Sequence, residues 1–542
     1  MFFVGSSSAG TNRANPSAAE TWLAAVAGFR LPMGLNHVKR TILANPRRQS
    51  RQISPGSYTK LMNVLLISTY ELGHQPFGLA SPAAWLRDRG HRVTALDLSR
   101  QELDELAVRE ASLIACFIPM HTAARLTLAL VPGLRALNPS AELCVYGLYA
   151  SLTEESFRQL GVRHFFGGEF EQPLAAFADS LASASPGNPP GIESSFRSRL
   201  DLSDAPAAPA SVSLRRQKFL TPDRSGLPSL ARYARVILPE GGHRVAGYTE
   251  ASRGCKHLCR HCPIVPVYNG IFRIVDKETV LADVRQQVAA GAGHITFGDP
   301  DFFNGIGHAL AIVRDLHAEF PELTYDVTIK IEHLRLYERH LPVLRDTNCL
   351  FVTSAVESLD DEVLAKLQKK HTRAGFLRVA RNFRELGLTL QPTFVPFTPW
   401  TTLESYIDLL ETLAELSLIE NVPPIQLAIR LLIPAKSRLL ELPDIQRIID
   451  PFDEQLLVYP WRHSDSRMDV LAAEVESIAA SAEKQKWSRR DSFEKIYELA
   501  VGAGALQRRS RQFPVAPALA KNAIAPGILR SGVPYLNEPW YC

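Results

Sequence analysis

The chain has 542 residues, 46% hydrophobic and 21% charged, enough for two or three packed domains. Its net charge is +4, but residues 1–61 hold eight Lys/Arg against the single acid Glu20, a local +7 that leaves the rest near −3 and argues against a general nucleic-acid surface. No apolar run reaches the roughly 18 residues that span a bilayer, and seven scattered cysteines do not read as a disulfide framework, so a cytoplasmic location is expected.

Residues 1–61 are rich in Ser, Asn, Arg and Pro and lack periodicity beyond a short apolar helix candidate at 21–29. A targeting peptide, a disordered arm and a mis-called upstream start all fit; the last is favoured, because Met62 opens a clean first strand. From 62 to 184, apolar strands at 64–68, 92–98, 113–118, 142–146 and 164–166 alternate with amphipathic helices such as 81–89 and 123–137. That alternation predicts a doubly wound parallel sheet. The loop Glu71-Leu72-Gly73-His74-Gln75-Pro76-Phe77-Gly78 follows the first strand, at the carboxyl edge where such sheets take ligands.

Residues 185–215, rich in Pro, Ala and Ser, are the predicted linker. Residues 216–440 then repeat strand and helix, with strands at 245–251, 294–297, 325–331, 350–355, 389–394 and 425–431. Six such units predict an α/β partial (β/α)6 TIM-like barrel with functional groups at the carboxyl ends of its strands. Residues 441–542 are expected to be a helical C-terminal extension and tail.

The chemical signal lies in Arg253-Gly254-Cys255-Lys256-His257-Leu258-Cys259-Arg260-His261-Cys262-Pro263. Three thiolates on one tight loop can hold three irons of a [4Fe-4S] cube and leave the fourth open to a ligand that is not protein. Structural zinc wants four closed ligands, usually in two separated pairs, and no second Cys/His pair has that spacing. A mononuclear site completed by His257 and His261 is the competing reading. Gly254 permits the bend into the loop. Lys256, Arg260 and His261 either favour deprotonated sulfur or are solvated loop charges.

The Cys-x-x-x-Cys-x-x-Cys spacing resembles the signature of the radical S-adenosylmethionine (SAM) superfamily, over about residues 215–440. Residues 62–184 resemble the cobalamin-binding domain that precedes the barrel in one branch of it. The resemblance implies a cluster at Cys255, Cys259 and Cys262 whose open iron is chelated by the amino nitrogen and carboxylate of SAM. One electron then breaks a carbon–sulfur bond, giving methionine and a 5′-deoxyadenosyl radical. His261 stands where the family packs an aromatic ring near the adenine. Gly298, Asp299 and Asp301 stand in its Gly-Gly-Glu region, where the SAM ammonium is bound; Asp301 is the favoured acceptor, against a simple capping turn.

Glu357 and Ser358, ending the fourth strand, fit the ribose-binding position or a helix start. Arg430 would fork onto the SAM carboxylate or take an internal salt bridge. Glu332 and His333, at the lip of the third strand, are catalytic candidates for binding substrate or moving a proton. Lys369-Lys370-His371-Thr372 resembles a Lys-x-His-Thr stretch of related enzymes, with no role assigned.

In the first domain, the Asp-x-His-x-x-Gly motif that donates a lower cobalt ligand is absent. His74 occupies the right loop with Gly78 nearby, but Leu72 stands where the Asp would be, so cobalamin is left uncertain. Cys116, Cys144 and Cys349 read as core residues. At the other end, Glu538-Pro539 resembles the tail of radical SAM proteins that end in Cys-Cys-Ala-Glu-Pro or a selenocysteine form of it. Here Tyr535-Leu536 replace the thiol or selenol pair, leaving Cys542 as the candidate thiol.

The expected protein is thus a radical SAM enzyme acting on a small molecule or peptide, fed by an electron donor such as flavodoxin or ferredoxin. No nucleic-acid or membrane partner is expected. Cobalamin-dependent methyl transfer is one outcome; rearrangement or transfer of another SAM fragment beside an empty first domain is the other. A non-catalytic iron-sulfur or nucleotide sensor on the same scaffold is the alternative from a different class.

Overall fold

Strands β1 (Asn63–Ser68), β2 (Arg92–Asp97), β3 (Leu113–Phe117), β4 (Glu142–Tyr146), β5 (His164–Gly168) and β6 (Ser211–Ser213) pair in parallel in the order β2-β1-β3-β4-β5-β6. The computed structural model describes residues 61–183, 211–503 and 531–537; the leader, most of the linker, Glu538, Pro539 and Cys542 lie outside them. The strands are apolar on both sides because helices cover both faces. With a period of two, Leu65, Ile67 and Ile114 enter one core, while Val64, Leu66 and Phe117 enter the other. The winding reverses between β1 and β3, which places the crevice such sheets offer to ligands beyond the carboxyl ends of those two strands.

A second sheet starts with β7 (Arg235–Ile237) and β8 (His243–Thr249), which are antiparallel. After β8, a short hairpin of β9 (Ser252–Gly254) and β10 (Phe272–Ile274) holds the cysteine segment between its arms. The parallel barrel staves continue with β11 (His294–Phe297), β12 (Thr324–Thr328), β13 (Cys349–Glu357) and β14 (Leu390–Phe394). Helices Lys277–Ala289, Ile306–Glu319, Arg373–Leu386 and Leu403–Glu415 follow the staves and share one core with them.

The sixth strand expected at 425–431 is reduced to one parallel bridge, Phe397 to Arg430. Its first half is instead a 3-10 turn, Pro424–Leu427, because Pro423 and Pro424 have no N–H to give a ladder. Side chains satisfy the β14 edge in its place: Gln426 Oε1 accepts from Phe394 N at 3.1 Å, and Asn421 Nδ2 donates to Leu390 O at 2.8 Å. Helices Ser466–Gln485 and Arg489–Ala503 cover this side of the barrel.

A last strand, β15 (Tyr535–Leu536), pairs antiparallel with β7, beside the start of β8, while Gln391 on β14 donates to Pro534 O at 2.6 Å. Residues 534–536 therefore touch both margins of the open barrel at its amino end, opposite the cysteine segment. Tyr535 and Leu536, the positions that resemble the thiol or selenol pair of the tail family, are structural here.

Candidate functional site

The hairpin fixes where the three thiols can be. Gly254 has φ +72°, and a Cβ there would fall 2.4 Å from the Tyr268 ring and 2.5 Å from Ile271 O, so no larger residue fits. Asn304 Oδ1 accepts from Lys256 N at 3.3 Å and lies 4.0 Å from Cys255 Sγ. Arg260 ties the far side of the loop to the segment after β13, through N to Leu367 O at 3.0 Å and Nη1 to Lys366 O at 2.9 Å. Both oxygens of Asp299 hold the approach to the loop, accepting from Ala251 N at 2.9 Å and Ser252 Oγ at 2.5 Å.

Burial raises the Cys255 thiol and pushes Cys262 up to about 12, and negative charge at Cys259 adds to both. Thiols so placed repel one another as thiolates and are released from that cost by a shared cation. The donor set fits an iron-sulfur cube with an open corner. Cys116, Cys144 and Cys349 sit buried in β3, β4 and β13, as expected of core residues. Cys255 Sγ, His257 and Asp301 also offer ligand atoms within 4.8 Å of one another, the geometric basis of the mononuclear alternative. His261 does not join that group; its Nε2 meets Glu357 Oε1 at 3.0 Å.

Around the loop, the carboxyl ends of β11 to β13 bring together acids and bases. Asp301, 1% exposed, lies between two imidazoles: His257 Nε2 at 3.2 Å and His333 Nδ1 at 2.7 Å from its Oδ2. Neither contact has hydrogen-bond geometry. Burial opposes the Asp301 charge, but the two rings more than compensate and hold its pKa below the ordinary value. Asp301 also caps the turn that follows, accepting from Phe303 N at 3.3 Å, so the expected acceptor and the capping turn coexist.

Glu332 and His333 sit in the first turn of helix Ile331–Leu336 rather than on a strand lip, because β12 ends at Thr328. Glu332 pairs with Lys330 Nζ at 3.0 Å. Gly298 is glycine for packing: a Cβ there would meet the Tyr248 hydroxyl at 1.8 Å.

Glu357 closes β13 with φ +69° and gathers His261 at 3.0 Å and Lys369 Nζ at 3.2 Å on one oxygen. Despite burial, Lys369 and then His261 bring its pKa down to about 2. Lys369, 3% exposed, loses some charge preference to burial but is held above its ordinary pKa by Glu357, Cys259 and Cys262. His371 is buried beside it with neither ring nitrogen hydrogen bonded, and burial brings it down to about 3. Ser358 Oγ accepts from Asp360 N at 3.0 Å, while Asp360 itself caps the next helix.

Arg430 takes the internal pairing. Its Nη1 lies 2.8 Å from Asp469 Oδ1, Nη2 donates to Trp461 O, and the guanidinium lies 3.6 Å over the Trp461 ring. Helix Ser466–Gln485 delivers Asp469, and no sequence spacing announces it. No local pattern marks Asn304 either, and although the Lys-x-His-Thr stretch singles out Lys369, nothing local tells that its ammonium turns inward to Glu357.

In the first domain, His74 is 3% exposed with its ring 4.9 Å from Tyr248 of β8, and burial lowers it to about 4. A Cβ at Gly78 would fall 2.1 Å from the Phe117 ring, so that ring occupies the space the glycine leaves.

Residues 249–413 match the family model of the radical SAM superfamily. Among solved structures, the cobalamin-dependent SAM radical enzyme OxsB with aqua-cobalamin bound is 13% identical, with a TM-score of 0.57 over 82% of this chain and 71% of that one. The radical SAM methyltransferase TsrM from Kitasatospora setae, with tryptophan and a SAM analogue, is 18% identical, with a TM-score of 0.50 over 65% of this chain and 71% of that one. At these identities the likeness is one of fold: a doubly wound domain, a partial barrel and a helical C-terminal part. No helix among the described residues is long and apolar enough to cross a membrane.

Proposed function

From the premise that residues 249–413 are the radical SAM domain of an enzyme, we propose that Cys255, Cys259 and Cys262 hold a [4Fe-4S] cluster and that SAM binds across the carboxyl ends of β8 and β11 to β13. The observation that carries the reading is the pinned three-thiol loop beside a buried Asp301 paired with two imidazoles, together with Asn304 Nδ2 and both His371 nitrogens, which lack hydrogen bonds. When bound, the cluster supplies an electron that cleaves SAM and starts radical chemistry on a small molecule or peptide.

The chain's own residues then have definable work. Asp301, kept ionised by His257 and His333, receives the SAM ammonium. Glu357, oriented by His261 and Lys369, receives ribose hydroxyls, with Ser358 beside it. His333 and Glu332 hold or move a proton at the substrate side. Lys369 sets positive charge beside Cys259 and Cys262. The electron comes from a donor such as flavodoxin or ferredoxin, in the cytoplasm.

Anaerobic reconstitution tests this. About four irons and four sulfides per chain are expected, with methionine and 5′-deoxyadenosine formed from SAM under dithionite. A single bound zinc with no SAM turnover would overturn it, while a cluster without turnover would favour the sensor reading.

A further inference from the structure

The fold places the first domain's ligand crevice beyond the carboxyl ends of β1 and β3, and there the chain meets itself. The Phe117 ring fills the gap in front of Gly78 and also lies 2.9 Å from a Cβ placed on Gly147. It packs 5.3 Å from Tyr146 and 5.8 Å from Phe170, and the Tyr146 hydroxyl donates to Gly78 O at 2.8 Å. Glycines that would let a bulky ligand approach the backbone are stopped by the protein's own rings.

From the barrel side, Arg253, next to the cysteine loop, reaches the end of β5. Its guanidinium lies 2.6 Å from Glu171, 3.7 Å from Glu169 and 2.6 Å from Glu250, and within 5.1 to 5.6 Å of the Phe77, Phe170 and Phe219 ring centres. Glu169 and Glu171 are at most 1% exposed. The Tyr268 hydroxyl donates to Glu169 at 3.1 Å, and Val267, Tyr268 and Leu457 share a core with Ile67 and Ile118 at the ends of β1 and β3. The segment between β6 and β7 seals the β1 loop: Ala234 N donates to Gly73 O at 2.9 Å, Gln75 to Pro228 O at 3.0 Å, and Arg224 to Gln75 at 2.9 Å.

A corrinoid on this edge would have to displace the aromatic plug, pull His74 off Tyr248, and leave Glu169 and Glu171 buried without Arg253. The residues present do not fit the group. We infer that the first domain of this enzyme carries no corrinoid, and that its carboxyl edge is instead the seat on which the cluster hairpin rests, through Arg253. This rests on the radical SAM reading and narrows it: the reaction is a rearrangement or a transfer of a SAM fragment that needs no cobalt.

The test uses the full chain, produced anaerobically in a host supplied with hydroxocobalamin and then titrated with hydroxocobalamin and with methylcobalamin. Corrinoid extracted after gel filtration is expected at roughly a tenth of an equivalent or less, with no change in the bound-corrinoid absorbance, while iron in the same sample reaches about four per chain. Corrinoid near one equivalent overturns the inference even if SAM is cleaved. Protein that binds neither iron nor SAM overturns the radical SAM reading and is recognised by its metal content alone. The double variant Phe117→Ala/Phe170→Ala supplies the positive arm. If the plug excludes the ligand, opening it raises uptake several-fold above wild type. Uptake already near one equivalent in both proteins shows that the rings exclude nothing.

Discussion

Two carboxyl edges face each other across the chain, and they meet the cost of burying polar groups differently. At the edge of the first sheet, Arg253 answers three carboxylates and rings fill the remaining space. Two of the polar atoms left unbonded there, Glu71 Oε2 and His74 Nδ1, belong to groups that burial keeps neutral, Glu71 by raising its pKa and His74 by lowering it. At the mouth of the barrel, Asp301, Glu357 and Lys369 keep their charge, His257 and His333 pair with Asp301, and neither nitrogen of His371 is hydrogen bonded. At the closed edge the buried charge of Arg253 is matched by the protein's own carboxylates, whereas at the barrel mouth a buried imidazole, His371, is left without a hydrogen bond.

The largest effect expected from breaking that contrast is at the cysteines. Replacing Cys255, Cys259 or Cys262 by Ala should lower SAM cleavage by at least about 10³-fold and strip the bound iron, read by 5′-deoxyadenosine formation and metal analysis. Equal activity in any one variant removes that thiol from the site. On the closed edge, Arg253→Ala strands Glu169, Glu171 and Glu250 and should cost about 3–5 kcal/mol of stability, seen as a lower midpoint in chemical denaturation of the iron-free protein. An unchanged midpoint would mean the edge is solvated.

Acid should loosen the same edge before it reaches the barrel carboxylates. His74 and His121 have folded pKa values near 4 against an ordinary 6.5, mainly through burial. The unfolded chain therefore binds more protons between those values. Stability is full above pH 6.5 and falls as pH drops toward 4, by up to about 3 kcal/mol per histidine. Glu357, depressed to about 2 from 4.5, keeps its full contribution down to about pH 4.5 and loses it only below. Melting curves from pH 7 to pH 4 should show the fall, and His74→Asn should flatten it; a flat wild-type profile would contradict the burial.

The smallest effect concerns tuning. Lys369→Met removes the cation beside Cys259 and Cys262 and should shift the cluster potential negative by some tens of millivolts, measured by redox titration followed by electron paramagnetic resonance.

What could be read from the chain follows the range of the forces involved. The cysteine spacing, the apolar runs of β1 to β5 and most barrel staves are local patterns, and local patterns survive folding. The stretch 425–431 looked like a strand by composition, yet two prolines and the side chains of Gln426 and Asn421 gave the β14 edge another partner. The apolar run continues past Thr328 and makes Glu332 and His333 look like a strand lip, although the chain has already turned into a helix there. Pairings such as Arg253 with Glu171 or Arg430 with Asp469 join separate elements, and no periodicity encodes which distant acid an arginine will find.

The pairing of Tyr535–Leu536 with β7 bears on how the molecule is made. During synthesis every other described strand emerges before this one, so the outer side of β7 waits with open hydrogen-bonding groups until residues 535–536 arrive. A nascent or truncated chain ending before residue 531 would present that bare margin to its neighbours, a route to clumping that a complete product has sealed.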